Sequence, residues 1–342
     1  MQRNKLVYIA LSALVSVVLL WLLFSRIETR DVIETFSRIY VPAVIVYAFV
    51  ALAGAWLRAW RYKLLLLPQK ITWGNILLVT FIRNSLIDLL PARIGSLSYI
   101  YVLNRRLGFP FETATSTFVV SFVLDFLTLS PFLIVAIIAV GLGTTVVSTF
   151  TLLWVAVLFF LIVFFFLWQI GPISRLLFRI FQRFMAASKL KNRRGAILVR
   201  EKFELTIESL SLIQERKVFI PIFFLSLCIR LAKYISVYAL FFGLLRSHGY
   251  SFHELSFWTF ILGLSGAELT SALPVKGLAG FGTWESAWAL TFRLMNFDPG
   301  LAIISGIGVH FLTNVFEYSL GIASILILAW PYLAKKREDD RL

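Results

Sequence analysis

Apolar residues run along this chain in long blocks rather than in alternation. Six blocks read as membrane spans: about 6–24, 42–60, 113–138, 147–169, 218–242 and 300–331. A hydrocarbon core of ~30 Å takes ~20 residues of helix, and every block is close to that length or beyond it. A membrane β-barrel would show short alternating segments, so continuous blocks predict helices. Two further segments are apolar but interrupted. Residues 71–104 contain Arg83, Asp88, Pro91 and Arg93, and residues 254–296 contain Glu268, Pro274, Lys276 and Glu285. The block at 6–24 follows Arg3 and Lys5 as a signal peptide would, but it ends at Ser25-Arg26 without a small-x-small cleavage site. It is read as a retained first helix.

The two interrupted segments break in the same way. "LPARIG" at 90–95 and "LPVKGLAGFG" at 273–282 each place Leu-Pro, one residue and then a cation, 183 positions apart. The run 76–90 would cover only ~22 Å as helix. A re-entrant hairpin opened by Pro91 is therefore expected at 71–104. The arms of 254–296 are longer, so a hairpin and two short spans both remain open there. The halves read alike: span, span, broken hairpin, span. The fold class expected is all-α and polytopic, about six full spans plus two re-entrant broken hairpins in an inverted-topology repeat. The first repeat takes residues 1–146. The second takes 147–342 and includes a basic linker at 172–217.

Composition fixes the compartment. The chain is 59% hydrophobic and 15% charged with a mean hydropathy of +0.86, which no soluble domain of 342 residues matches. The formal net charge is +15. In a membrane protein this reads first as the positive-inside bias and second as affinity for anionic lipid, not as a nucleic-acid surface. The 25–40 loop balances three arginines with three acids, whereas linker 172–217 carries eleven basic and four acidic residues. All basic segments share one face if 71–104 returns to its own side. The expectation is a multi-pass protein of the cell (inner) membrane with both termini cytoplasmic. A single cysteine, Cys228, excludes an intrachain disulfide.

Ionisable groups at membrane depth cost ~2.5–3.5 kcal/mol or more each, so those present ask for a reason. The cations are Arg83, Arg93, Arg230, Lys233, Lys276 and Arg293; the acids are Asp88, Asp125, Glu268, Glu285 and Glu317, with His310 and Asn314 as further polar groups. Ion pairing that fixes helix packing accounts for some: Arg230 and Lys233 are expected to pair with Asp125 or Glu317, and Arg293 to reach the interface. Arg93 and Lys276 each follow a proline break, where free backbone N–H groups and helix starts favour an anion. Gly277, Gly280 and Gly282 let that backbone approach closely. Purely structural kinks are the other reading of the two breaks. Within the linker, Arg175, Arg179 and Arg183 recur every fourth residue opposite an apolar face, as in a helix lying on an anionic leaflet; positive-inside topology alone explains them as well. Searches for H-E-x-x-H, Walker A, G-x-S-x-G and Cys/His clusters find nothing.

Three stretches carry a family resemblance: "NSLIDLLPARIGSLSYIYVLNRRLGFPFETA" (84–114), "FVVSFVLDFLTL" (118–129) and "LPVKGLAGFGTWESAWAL" (273–290) followed by "FDPGLAIISGIGVHFLTNVFEYSLG" (297–321). The chain resembles the flippase-like membrane proteins related to the transmembrane region of lysylphosphatidylglycerol synthase, over nearly its whole length. Carried over residue by residue, the family's early motif falls on Pro91, Arg93 and Gly95, its later one on Pro274, Gly280, Gly282 and Glu285, and its acid after the first hairpin on Asp125. Ser96, Ser121 and Phe122 stand where the family often has charged residues. The resemblance implies lipid translocation, or a role in an envelope-lipid or lipid-linked glycan pathway. The synthase's aminoacyl-transferring domain is not found, so no lysyl-lipid synthesis is expected.

These readings converge on a lipid flippase or scramblase acting on an anionic phospholipid or a polyprenyl-phosphate-linked lipid, not an enzyme, without cofactor or metal. The substrate-binding set is Arg93, Lys276, Arg83, Pro91, Gly95, Pro274, Gly277, Gly280, Gly282 and Glu285. Asp88, Asp125, Arg230, Lys233, Glu268, His310 and Glu317 form a charge network or carry a coupling proton. Expected partners are membrane lipids, anionic ones first, and either a second copy of the chain or a lipid-biosynthesis enzyme; no nucleic acid is expected. A secondary transporter of a small organic anion is the alternative, and an intramembrane enzyme acting on lipid phosphates stands third.

Overall fold

The computed structural model describes residues 2–87, 89, 91–141, 148–187, 194–215, 218–270 and 277–339, with side chains from residue 13 onward except at 91–93, 184–196, 214–217, 278 and 331–342. The described residues form helices, turns and loops and no strand. In chain order the α-helices are α1 (Gln2–Phe24), α2 (Thr29–Ser37), α3 (Val41–Leu65), α4 (Trp73–Ile87), α5 (Ser98–Arg105), α6 (Phe111–Leu127), α7 (Leu129–Val140), α8 (Thr149–Trp168), α9 (Ile170–Ala187), α10 (Arg194–Glu215), α11 (Phe219–Leu245), α12 (Phe257–Thr270), α13 (Thr283–Leu294) and α14 (Pro299–Asp339). Tight 3₁₀ turns at Pro91–Leu97 and Leu278–Gly280 join α4 to α5 and lead into α13.

Five helical stretches are long and apolar enough to cross a membrane: Val41–Leu65, Phe111–Val140, Thr149–Trp168, Phe219–His248 and Pro299–Trp330. The first helix adds a shorter apolar stretch at Ala13–Phe24. Local chemistry sets their limits. Pro42 starts α3, where its missing N–H is no loss. Ser148 caps α8 by accepting the Thr151 N–H at 3.1 Å. Asp298 and Pro299 open α14, with Asp298 Oδ1 taking the Leu301 N–H at 2.8 Å. Gly141 closes α7 at a left-handed φ of 62°. The long span 111–140 is interrupted at Thr128. Pro131 has no N–H for the Leu127 carbonyl, and the helix breaks at that turn.

The helices on either side of each Leu-Pro break are short. At 1.5 Å per residue, α4 and α5 reach ~22 and ~12 Å, and α12 and α13 ~21 and ~18 Å. None of the four spans a ~30 Å core alone. α3 packs along α11, with Gly54 against Ala232 and Gly243 against Ala43. α4 lies on α14 while α12 lies on α7; α5 lies on α6 while α13 lies on α14. The two 3₁₀ turns touch each other, and α1 packs against the second turn and α13.

Tyr234, Phe241, Phe260, Trp288 and Phe292 centre the largest apolar cluster, contributed by α11, α12 and α13. Tyr62 and Tyr99 meet at a tilt, 4.4 Å apart, between α3 and α5 in a second cluster. α10 folds back along α6 and buries Ile207, Leu210 and Ile213. α9 exposes Arg175, Arg179 and Arg183 and tucks Phe178 against Phe203 at 5.4 Å, so the linker is helical on both sides of residues 188–193.

Candidate functional site

A polar cavity of about 180 Å³ opens among α3, α4, α6, α11, α12 and α14. A single water needs ~10–15 Å³ on this measure, so the space takes a polar group of many atoms. Its chemistry begins on α3. Arg58 and Arg61 stand three residues apart and therefore share one face of the helix. Arg61 is fully buried, and α4 adds Arg83, which is 3% exposed. All three guanidiniums converge on one carboxylate, Asp125 of α6, at 2.8 Å from Arg61, 3.4 Å from Arg83 and 3.6 Å from Arg58. Arg61 also donates to Ser226 Oγ at 3.0 Å.

The opposite wall belongs to α11 and α12. Arg230 and Lys233 both reach Glu268, each at 2.9 Å. Arg230 additionally donates to the backbone carbonyl of Asp125. Sequence reasoning expected these two cations to meet Asp125 or Glu317; the structure gives both to Glu268, because α12 and α11 place the three side chains on the cavity wall together. Arg293 is exposed, in keeping with a side chain at the interface. Arg83 reaches Asp125, and Asp88 lies outside the described residues.

Among the described residues that line the cavity, four cations (Arg58, Arg83, Arg230, Lys233) meet three carboxylates (Asp125, Glu268, Glu317), and Arg61 stands behind them on Asp125. Positive charge is in excess. Donor capacity is in excess too: Arg58 Nε, Arg61 Nε and Arg61 Nη2 are buried without an acceptor among the described residues. Leaving such a charged donor unmatched costs on the order of 1–3 kcal/mol or more.

A second titratable group adjoins the same space. Glu285 is fully buried in the first turn of α13. Its Oε2 accepts the Gly282 N–H at 2.8 Å, and its Oε1 lies 2.6 Å from His310 Nδ1. The positive end of α13 sits on this carboxylate. Trp284 stacks on the His310 ring at 4.8 Å and Phe281 approaches it at 4.7 Å. Gly280 lies beside the ring, and Gly282 takes φ of 85° with Leu19 so near that a Cβ would stand 2.8 Å from it. Only glycine fills that place without strain. Ser16 of α1 pins the turn by donating to the Phe281 carbonyl at 3.0 Å.

The first turn is built on another close approach. A Cβ on Gly95 would stand 1.5 Å from the Leu86 carbonyl oxygen, so the chain folds back on α4 only with glycine there. Gly277 sits similarly against the Phe281 carbonyl. The backbones of Pro91 and Arg93 lie in the Pro91–Leu97 turn. The side chains of those two residues, and Asp88, Pro274 and Lys276 entirely, lie outside the described residues.

Arg58 and Arg61 were missed by the sequence reading, which ended the span at residue 60 and left both out of the site. The signal was there: apolar residues continue to Leu67 without a breaker, and an i, i+3 cation pair inside a helix lies on one face.

The fold and the site define a helical multi-pass membrane protein with a cation-rich polar cavity inside the bundle. Residues 9–321 match the model of the lysylphosphatidylglycerol synthase TM region, and the chain belongs to that family. The family ties it to membrane lipid and to function of the flippase type. No curated protein matches the chain.

Proposed function

We propose that this protein translocates an anionic phospholipid, or a lipid carried on a polyprenyl phosphate, between leaflets as a flippase or scramblase, without chemical conversion of it. The observation that carries the reading is the convergence of Arg58, Arg61 and Arg83 on a single carboxylate beside the central cavity, with guanidinium donors unmatched among the described residues. Arginine suits phosphate because its planar fork donates two parallel hydrogen bonds. In this reading Arg58, Arg61 and Arg83 hold the headgroup, with Arg93 and Lys276 adding charge at the turns. Asp125 and Glu317 balance the cations, and the His310–Glu285 pair carries a coupling proton.

The architecture proposed is an inverted repeat of residues 1–146 and 147–342 with two re-entrant hairpins and both termini cytoplasmic. Its support is reciprocal packing: α4 meets the last helix of the second half as α12 meets the last helix of the first, and α3 pairs with its counterpart α11. The short hairpin arms support re-entry. The lipid's biosynthetic enzyme, or a second copy of the chain, is the proposed protein partner.

Proteoliposomes holding a fluorescent anionic phospholipid test the reading. Arg58→Gln and Arg83→Gln should slow its movement about tenfold each, the equivalent of ~1.4 kcal/mol of lost anion contact. Equal rates in wild type and both variants would remove the site assignment. The small volume of the cavity also suits a soluble organic anion, and gradient-driven uptake of one, with no lipid movement, would favour that second reading.

A further inference from the structure

Beside the polar cavity runs a groove of opposite character. α8 and α11 both pack on α6, and the gap between them is about 710 Å³, lined by apolar side chains only. Leu124 and Leu127 of α6 form its floor; both are almost wholly buried. One wall is a ladder of rings on α8, with Phe160 stacked on Phe164 at 6.1 Å and Phe164 tilted against Trp168 at 6.2 Å. Phe219, Phe223 and Phe224 of α11 form the other wall. The groove lies at the linker end of the bundle, since α8 ends and α11 begins there.

Its position on α6 and α11 is informative. On α6, Leu124 and Leu127 face the groove while Asp125 and Thr128 face the polar cavity. Along α11, the groove residues end at Phe224 and the cavity residues begin at Ser226. The two spaces therefore lie on adjacent faces of one helix and are consecutive along another. A polar site with surplus positive charge adjoins an aromatic slot open to the bilayer. That juxtaposition matches a molecule with an anionic head and a long hydrocarbon tail.

We propose that the groove between α8 and α11 is the site for one hydrocarbon chain of the lipid whose anionic headgroup enters the arginine cavity. The inference rests on the lipid reading given above and deepens it: it excludes a soluble anion as the natural substrate. Ring ladders such as Phe160–Phe164–Trp168 suit a flexible chain, because their faces offer continuous apolar contact.

The test uses the full chain in phosphatidylcholine vesicles containing phosphatidylglycerol with a diazirine midway along one acyl chain. A diazirine-bearing phosphatidylcholine probe is run in parallel. After irradiation, labelled peptides are mapped by mass spectrometry. The anionic probe should label 160–168 and 219–224 several-fold more densely than equally lipid-exposed stretches such as 150–158 and 322–330, and more densely than the neutral probe does. Phe164→Ala and Phe224→Ala, at exposed positions that leave the core intact, should abolish the enrichment. Leu127→Trp should block it from the floor. Arg83→Gln should lower it for the anionic probe alone. Labelling spread evenly over the lipid-facing surface would overturn the groove, and so would enrichment that is indifferent to both headgroup charge and Arg83. Movement of lipid between leaflets is scored separately. Its absence, with groove labelling intact, would remove translocation while leaving the chain site standing.

Discussion

The two halves of the chain carry similar Leu-Pro motifs but different arrangements of ion pairs. In the first half, Arg58, Arg61 and Arg83 share a single carboxylate, Asp125. In the second, Arg230 and Lys233 share Glu268, and Glu285 holds His310. The first half is thus a fixed positive pole, since guanidiniums do not lose their protons. The second carries the titratable imidazole and the closer balance of charge. What the contrast teaches is a difference in pairing: one side gathers three fixed cations on one acid, and the other spreads its contacts over two acids and an imidazole.

The largest expected effect breaks the first half. Asp125→Ala leaves three buried guanidiniums without their shared counter-charge, and removal of one partner of a buried ion pair costs ~3–5 kcal/mol. Thermal unfolding in detergent should show a lowered transition or no folded protein at all, and Arg61→Met in the same chain should recover part of the loss. A neutral outcome would mean that the cluster is well hydrated rather than buried. Next comes the second half. Glu285→Ala strips the Gly282 N–H and His310 Nδ1 of their acceptor, and each buried donor left unmatched costs ~1–3 kcal/mol. The same measurement should place this variant between wild type and Asp125→Ala; a larger loss than at Asp125 would reverse the ranking of the two halves. Smallest is Lys233→Gln. Lys233 is 42% exposed and leaves Glu268 paired to Arg230, so screening limits the change to ~1 kcal/mol or less. A greater shift would show that Lys233 and Arg230 do not substitute for each other.

Much of this was legible in the sequence. The observed helices α3, α8, α11 and α14 coincide with apolar blocks because a span is a local property of length and composition. The interruption at Thr128 could have been foreseen from Pro131. Helix α2 was not: it is short, and its acids and arginines balanced as a loop would. The ion pairs were the least legible part. Asp125 meets cations 42 to 67 positions earlier in the chain, and which of them it meets depends on how α3, α4 and α6 pack. Arg58 and Arg61 were visible as charges and invisible as members of the site, because the span was ended too early. Glu285 and His310 were both singled out, but their contact depends on α13 lying against α14.

The bond from Arg230 to the main-chain carbonyl of Asp125 has a mechanical meaning. An amide oxygen has no proton to gain and no rotamer to change, so this attachment of α11 to α6 is indifferent to what the Asp125 carboxylate is doing. Under the proposed function, an exchange of arginine partners at the carboxylate would leave this joint between the helices in place. Latch and lock are separate parts on the same residue: the backbone ties α11 to α6, and the side chain gathers the arginines.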